Sequence, residues 1–111
     1  MILQRCQFKK VDSIYDFNIC LGHHGKGVYF FVFGDKKMKK YYSKNVENVY
    51  QVQIDNKYIK DLSKQKLDYW KIQEIIYNNQ EFKAFIFKHK GHNIPTSKEI
   101  LITDINILKL L

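Results

Sequence analysis

The chain has 111 residues, 19 of them lysine or arginine and 11 aspartate or glutamate, with a formal charge of +8, 45% hydrophobic residues and 15% aromatic ones. That length suits one domain, 1–111, with surface enough to bury a single core, and the aromatic content excludes intrinsic disorder. No apolar run approaches the ~18 residues of a membrane span, and MILQRCQFKK meets charge too early for a secretory signal. A cytoplasmic protein is the expectation, of a bacterial or host cell.

In chain order, Ile2-Leu3 predicts a short edge strand, followed by an irregular segment from Phe8 to His24. Gly27-Val28-Tyr29-Phe30-Phe31-Val32-Phe33 is a continuous apolar run and predicts a buried strand closed by Gly34-Asp35. Lys36 to Ser43 predicts a short lysine-rich helix, with Met38, Tyr41 and Tyr42 at i, i+3 and i+4. Val49 to Ile54 alternates strictly and reads as a half-buried strand ended by Asp55-Asn56. Leu62 to Asn79 predicts the one long helix, capped by Asp61 or Ser63, with Leu67, Trp70, Ile72, Ile75 and Ile76 as its apolar positions. Ala84 to Phe87 is a strand, Lys88 to Lys98 a polar loop, Glu99 to Thr103 another strand, and Ile105 to Leu111 a last one. Helices interrupt strands without regular alternation, so the class is α+β with one long and one short helix.

Eighteen of the basic residues are lysine and Arg5 is the one arginine. A reader of base edges and phosphates favours the guanidinium fork, so this basicity points only weakly to nucleic acid. It does single out Arg5. Cys6 and Cys20 are too few for a disulfide framework and read as buried free thiols.

Several constellations could carry chemistry. His23-His24 and the pair His89 and His92 invite a metal reading, but neither has finger spacing with a cysteine, so no metal site is expected. Cys20 near His23 could form a nucleophilic pair, although Phe17, Ile19 and Leu21 make core packing the simpler account. Gly25-Lys26-Gly27-Val28-Tyr29-Phe30 is more informative: a glycine-punctuated turn enters an aromatic strand, and glycines let a backbone approach a ligand closely, with Gly27 leaving room above Tyr29. A helix folded back on that strand could set Tyr41 or Tyr42 opposite Tyr29, making a slot for a flat ring; ordinary core packing of all three is the competing account. Glu99 opens an apolar strand after the loop holding Pro95, Thr96 and Ser97, either facing a ligand or lying exposed at an edge.

Taken in order, these pieces resemble the ADP-ribosyltransferase superfamily. Arg5 stands where the family's first strand has His or Arg. Gly25-Lys26-Gly27-Val28-Tyr29-Phe30 is similar to the nicotinamide-pocket motif of poly(ADP-ribose) polymerases, and Tyr41 or Tyr42 matches the tyrosine that ends the following short helix. Val49 to Ile54, Ala84 to Phe87 and Glu99-Ile100-Leu101-Ile102 match the later strands. The compactness is like that of small bacterial and phage members, including anti-CRISPR ADP-ribosyltransferases. The sequence departs from the pattern in lacking a glycine after Arg5 and in having Ser97 two residues before Glu99.

The resemblance implies split antiparallel or mixed sheets around a cleft for NAD, used as co-substrate. It implies Arg5 on the adenylate ribose or pyrophosphate, backbone near Gly25 and Gly27 on the nicotinamide amide, and Tyr29 with Tyr41 or Tyr42 around its ring. Glu99, Tyr29 and Arg5 would be the catalytic set, with Glu99 stabilising the oxocarbenium-like state. The implied activity is mono-ADP-ribosyl transfer by a monomer to a macromolecule, a protein rather than a nucleic acid, as in a phage anti-defence protein, toxin or effector. The reading outside this family is a non-catalytic basic binding protein, which would coat RNA or DNA with lysines and stacking tyrosines or block a partner protein.

Overall fold

A computed structural model describes residues 1–22, 24–44, 46–88 and 97–111. Its centre is β1 (Ile2–Cys6), followed by β2 (Cys20–Gly22), β3 (Gly25–Val32), α1 (Lys36–Tyr42), β4 (Val49–Gln53) and β5 (Ile59–Asp61). Then come α2 (Tyr69–Asn78), β6 (Ala84–Lys88), β7 (Lys98–Ile102) and β8 (Lys109–Leu110). The strands lie in the order β5-β6-β7-β3-β1-β4-β8, with β2 paired to β3. Every pairing is antiparallel except β5 with β6, so the sheet is mixed and the class is α+β. Among the described residues no helix is long and apolar enough to cross a membrane.

Residues directly opposite one another on paired strands share a face. Tyr29 and Phe31 of β3 therefore face the same way as Leu101 and Glu99 of β7 and Phe85 and Phe87 of β6. Both helices cover this face. Met38 of α1 packs on Phe31, and Ile72 and Ile76 of α2 pack with Phe85, Phe87 and Leu101. The opposite face carries Leu3, Val28, Phe30, Val52, Ile86, Ile100 and Ile102, closed over by Val11, Phe17 and Leu108. Truncating one of these buried aliphatic side chains to alanine costs about 2–5 kcal/mol.

Several expectations need correction. The first strand, expected as a short edge strand at Ile2-Leu3, runs to Cys6 and is central, flanked by β3 and β4. Gln4 is nonetheless buried. The stretch from Phe8 is not wholly irregular: it holds a 3₁₀ turn at Ile14–Asp16, boxed by Ser13 and Asp16, and then β2. The long helix is shorter than its apolar spacing suggested, beginning at Tyr69 with Asp68 as N-cap; the Asp68 carboxylate accepts from the Lys71 amide at 2.8 Å. Leu62 and Ser63 are instead buried in extended chain and a turn. The Leu62 amide donates to the Ile86 carbonyl, and the Asp61 carboxylate accepts from both the amide and hydroxyl of Ser63. Parallel pairing of β5 with β6 wins over helix propensity there.

At the C-terminus, Asp104 caps a 3₁₀ turn at Ile105–Ile107, which leaves only Lys109–Leu110 as strand. Cys20 is exposed and Cys6 half-buried, both as free thiols, because β2 is an outlying strand and not core. Lys88 and Lys98 sit opposite each other within β6 and β7, so the polar connection is shorter than expected; its residues 89–96, including His89 and His92, lie outside the described residues.

Candidate functional site

The site begins where β1 leaves β3. With β4, β1 pairs along its whole length, from Ile2 opposite Gln53 to Cys6 opposite Val49. With β3 it pairs only at Leu3–Val32 and Gln4–Phe31. Beyond Gln4 the two strands separate, and the Arg5 guanidinium fills the gap. Nη1 donates to the Tyr29 carbonyl at 2.7 Å, Nε to Gln7 Oε1 at 3.0 Å and Nη2 to the Asn18 carbonyl at 3.4 Å. Gln7 is itself buried, and its amide donates to the carbonyls of Lys9 and Asp16, so Arg5 is braced by the irregular segment after β1. Burial lowers the Arg5 pKa from its ordinary value, yet an arginine stays charged at any working pH.

The gap opens into a small cleft lined by Arg5, Cys6, Tyr29, Phe30, Phe31, Tyr42 and Glu99. Four of the residues singled out in the sequence, Arg5, Tyr29, Tyr42 and Glu99, therefore share one wall. They come from β1, β3, α1 and β7, brought together by the strand order β7-β3-β1 and by α1 folding back on β3. Glu99 is no edge charge: it lies opposite Phe31 on one side and Phe87 on the other, in the interior of the sheet. Burial pushes its carboxyl up to about 7. Burial likewise pushes Tyr29 up to about 12 and raises Tyr42 strongly, with the Glu99 charge adding to both.

The tyrosines divide their roles. Tyr42 stacks on Phe31, with ring centroids 6.0 Å apart and planes at 11°, and faces the cleft. Tyr41 meets Tyr42 edge-on at 4.9 Å and packs with Phe31 and Met38, outside the cleft wall. The Tyr29 hydroxyl donates to the Gly25 carbonyl at 2.6 Å and accepts from the His24 amide at 3.2 Å, which fixes the ring. Gly25 has φ +127°, a conformation that favours glycine, and this lets the chain double back to meet that hydroxyl.

The expected roles of the glycines are corrected. Gly27 makes no room above Tyr29, since a Cβ there would run into the Ile102 carbonyl and Leu101 of β7. Gly22 does, because its Cβ would lie 2.5 Å from Tyr29 Cε1 and Cζ. Neither Gly25 nor Gly27 lines the cleft; Gly25 borders a separate groove. His24, read first as half of a metal pair, is buried against Phe87 with centroids 4.1 Å apart and against Tyr69 at 5.4 Å. Its neighbour His23 lies outside the described residues. Gln7, Gly22 and Tyr69 gave no signal in the sequence, since their roles depend on which strands become neighbours.

A half-buried carboxylate and a fixed guanidinium share this opening with Tyr29, Phe31 and Tyr42, and the carboxylate can oppose positive charge that develops beside it. No protein-family model, no curated protein and no solved structure matched the chain.

Proposed function

We propose that this protein is an NAD-dependent mono-ADP-ribosyltransferase of the phage anti-defence, toxin or effector type, with the split between β1 and β3 as its active cleft. The observation that supports this most is the meeting of Arg5, Tyr29, Tyr42 and Glu99, which the family resemblance had selected from four separate parts of the sequence. Tyr29 and Tyr42 would face the nicotinamide ring. Three of the five guanidinium N–H groups of Arg5 already donate to Tyr29, Gln7 and Asn18, so Arg5 also holds the cleft open in its working shape. Its positive charge would attract the anionic part of the dinucleotide.

Glu99 would act on the ribose. As the bond from ribose to the nicotinamide nitrogen breaks, its electron pair leaves with nicotinamide and positive charge grows on the sugar. A carboxylate beside that charge stabilises the transition state more than the ground state. A lone pair of the acceptor then bonds to the anomeric carbon and the acceptor loses a proton to water. Burial strengthens the Glu99 interaction, because the surroundings screen it less than bulk water does.

The test is incubation with NAD labelled in the adenylate part, in the presence of a cell lysate. Label should move into macromolecular material with wild type and fall by on the order of 10²–10³ with Glu99→Ala. Equal labelling by the two proteins would overturn the assignment of Glu99. No label transfer and no nicotinamide release would overturn the enzyme reading.

A further inference from the structure

The acceptor class can be argued from what borders the cleft. On one side stands α1, where Lys36, Lys37, Lys39 and Lys40 are all exposed. Residues 36–44 hold five lysines and no acidic residue, in a chain whose whole net charge is +8. The positive charge is thus concentrated at one place. Among the described residues none of these four lysines is in an ion pair. The cluster adjoins the cleft: Tyr42 of the same helix lines it, and Lys39 acts electrostatically on the Cys6 thiol, another lining group.

On the other side, on the same face of the sheet, lies an open groove bordered by Gly25, Lys26, Leu101 and Thr103 and by one face of α2, whose one carboxylate there, Glu74, is paired with Lys71 at 3.5 Å. Trp70 and Tyr77 stand on this helix face and are 75% and 80% exposed. Contacts beneath the surface link groove to cleft: Trp70 meets Tyr69 at 5.3 Å, Tyr69 meets the buried His24 at 5.4 Å, and the His24 amide donates to the Tyr29 hydroxyl. Along β3 the sequence runs from Phe31 at the cleft to Gly25 at the groove, roughly 20 Å of strand.

The lysine cluster, the cleft and the aromatic platform therefore lie in that order along β3 on one face of the sheet, and the track they mark passes over Tyr29 and the buried His24. We infer that this track is the docking surface for single-stranded nucleic acid, with phosphates on the α1 lysines, bases stacked on Trp70 and Tyr77, and the intervening nucleotide at the cleft. The inference rests on the transferase reading for its last element only. Point charges suit phosphates, and aromatic faces suit unpaired bases of any sequence. An acidic protein would use the lysines but has no comparable need of two exposed stacking rings.

The experiment uses fluorescein-labelled single-stranded DNA and RNA oligonucleotides of mixed sequence, titrated with the full chain at several salt concentrations. The expected result is binding by wild type that weakens steeply with salt. In Lys36→Ala/Lys37→Ala/Lys39→Ala/Lys40→Ala the slope of log K against log salt should fall by about 3. In Trp70→Ala affinity should fall about tenfold with the slope retained. Both variants change exposed side chains, and circular dichroism confirms that they are folded. Absence of binding, or binding that neither variant changes, overturns the inference. With labelled NAD added, label on the oligonucleotide supports it. With cell lysate also present, label confined to protein overturns the placement of a nucleotide at the cleft and leaves the transferase reading intact. Oligonucleotide binding without nicotinamide release supports the docking surface and removes the transferase reading.

Discussion

The Arg5 guanidinium donates to the Tyr29 carbonyl at 2.7 Å across the opening between β1 and β3. In a continuous ladder that carbonyl would belong to strand pairing, and here a side chain takes over. One residue thus satisfies the backbone where the sheet splits and places positive charge in the resulting cleft.

Arg5→Lys should therefore damage both stability and function. An ammonium group cannot reach Tyr29, Gln7 and Asn18 together in the fixed directions a guanidinium allows. Loss of these charge-assisted bonds should cost about 2 kcal/mol. A denaturant titration of wild type against Arg5→Lys measures it, and an unchanged midpoint would show that Arg5 does not brace the split.

Glu99 gives two pH dependences of opposite sign. Its folded pKa is raised from 4.5 to about 7, so the folded state holds the proton more tightly than the unfolded chain. Its contribution to stability is present below about 4.5 and is lost as pH rises towards about 7. Glu99→Gln should consequently be more stable than wild type at pH 8 and show less dependence between those limits. Discounted for partial exposure, the gain is about 1 kcal/mol, or roughly 4–8 °C in Tm. Nicotinamide release should run the other way in wild type, rising with pH as the carboxyl ionises, with a midpoint near about 7. Melting curves and initial rates from pH 5 to 8.5 check both.

Gly22→Ala should disturb Tyr29 without touching the ligand. The new Cβ would sit 2.5 Å from the ring, which must leave its place between the His24 amide and the Gly25 carbonyl. Overpacking of this kind costs about 1–3 kcal/mol. KM for NAD should rise by more than kcat falls, as expected of a ring proposed as a binding surface. Steady-state kinetics at fixed pH separate the two, and an unchanged KM would argue against Tyr29 as a wall of the pocket.

Tyr42 and Tyr41 should behave differently although they adjoin. Tyr42→Ala removes a ring that lines the cleft and stacks on Phe31, and should raise KM for NAD about tenfold. Tyr42→Phe keeps the stack and should have little effect. Tyr41→Ala should lower the melting temperature and leave KM nearly unchanged, since that ring packs with Met38 and Phe31.

Much of this site was legible because its residues are conspicuous in a lysine-rich chain. Arg5 is the one arginine, Glu99 interrupts an apolar strand, and the tyrosines follow a glycine turn. Local chemistry also marked α1, whose observed bounds nearly match the expected ones, since Asp35 caps it and the turn at Gly34 has φ +94°. What failed depended on distant partners. The start of α2 could not be read because Leu62 has helical spacing yet is claimed by the Ile86 carbonyl on β6. The central place of β1 was hidden because Gln4 and Arg5 look solvent-facing, while their surroundings come from strands far along the chain. The substitution of Gly22 for Gly27 as the glycine that seats Tyr29 has the same origin, as only the pairing of β2 with β3 brings it there.

In the proposed transferase, the split between β1 and β3 is a catalytic cleft whose carboxylate is Glu99. Its most direct test is nicotinamide release from NAD by purified wild type and Glu99→Gln, measured side by side at pH 8 with both proteins shown to be folded. The account predicts steady release by wild type and a loss on the order of 10²–10³ in the variant, which is near-isosteric and keeps the cleft intact. Equal release by the two proteins, or none by wild type with acceptor-rich lysate present, would contradict it.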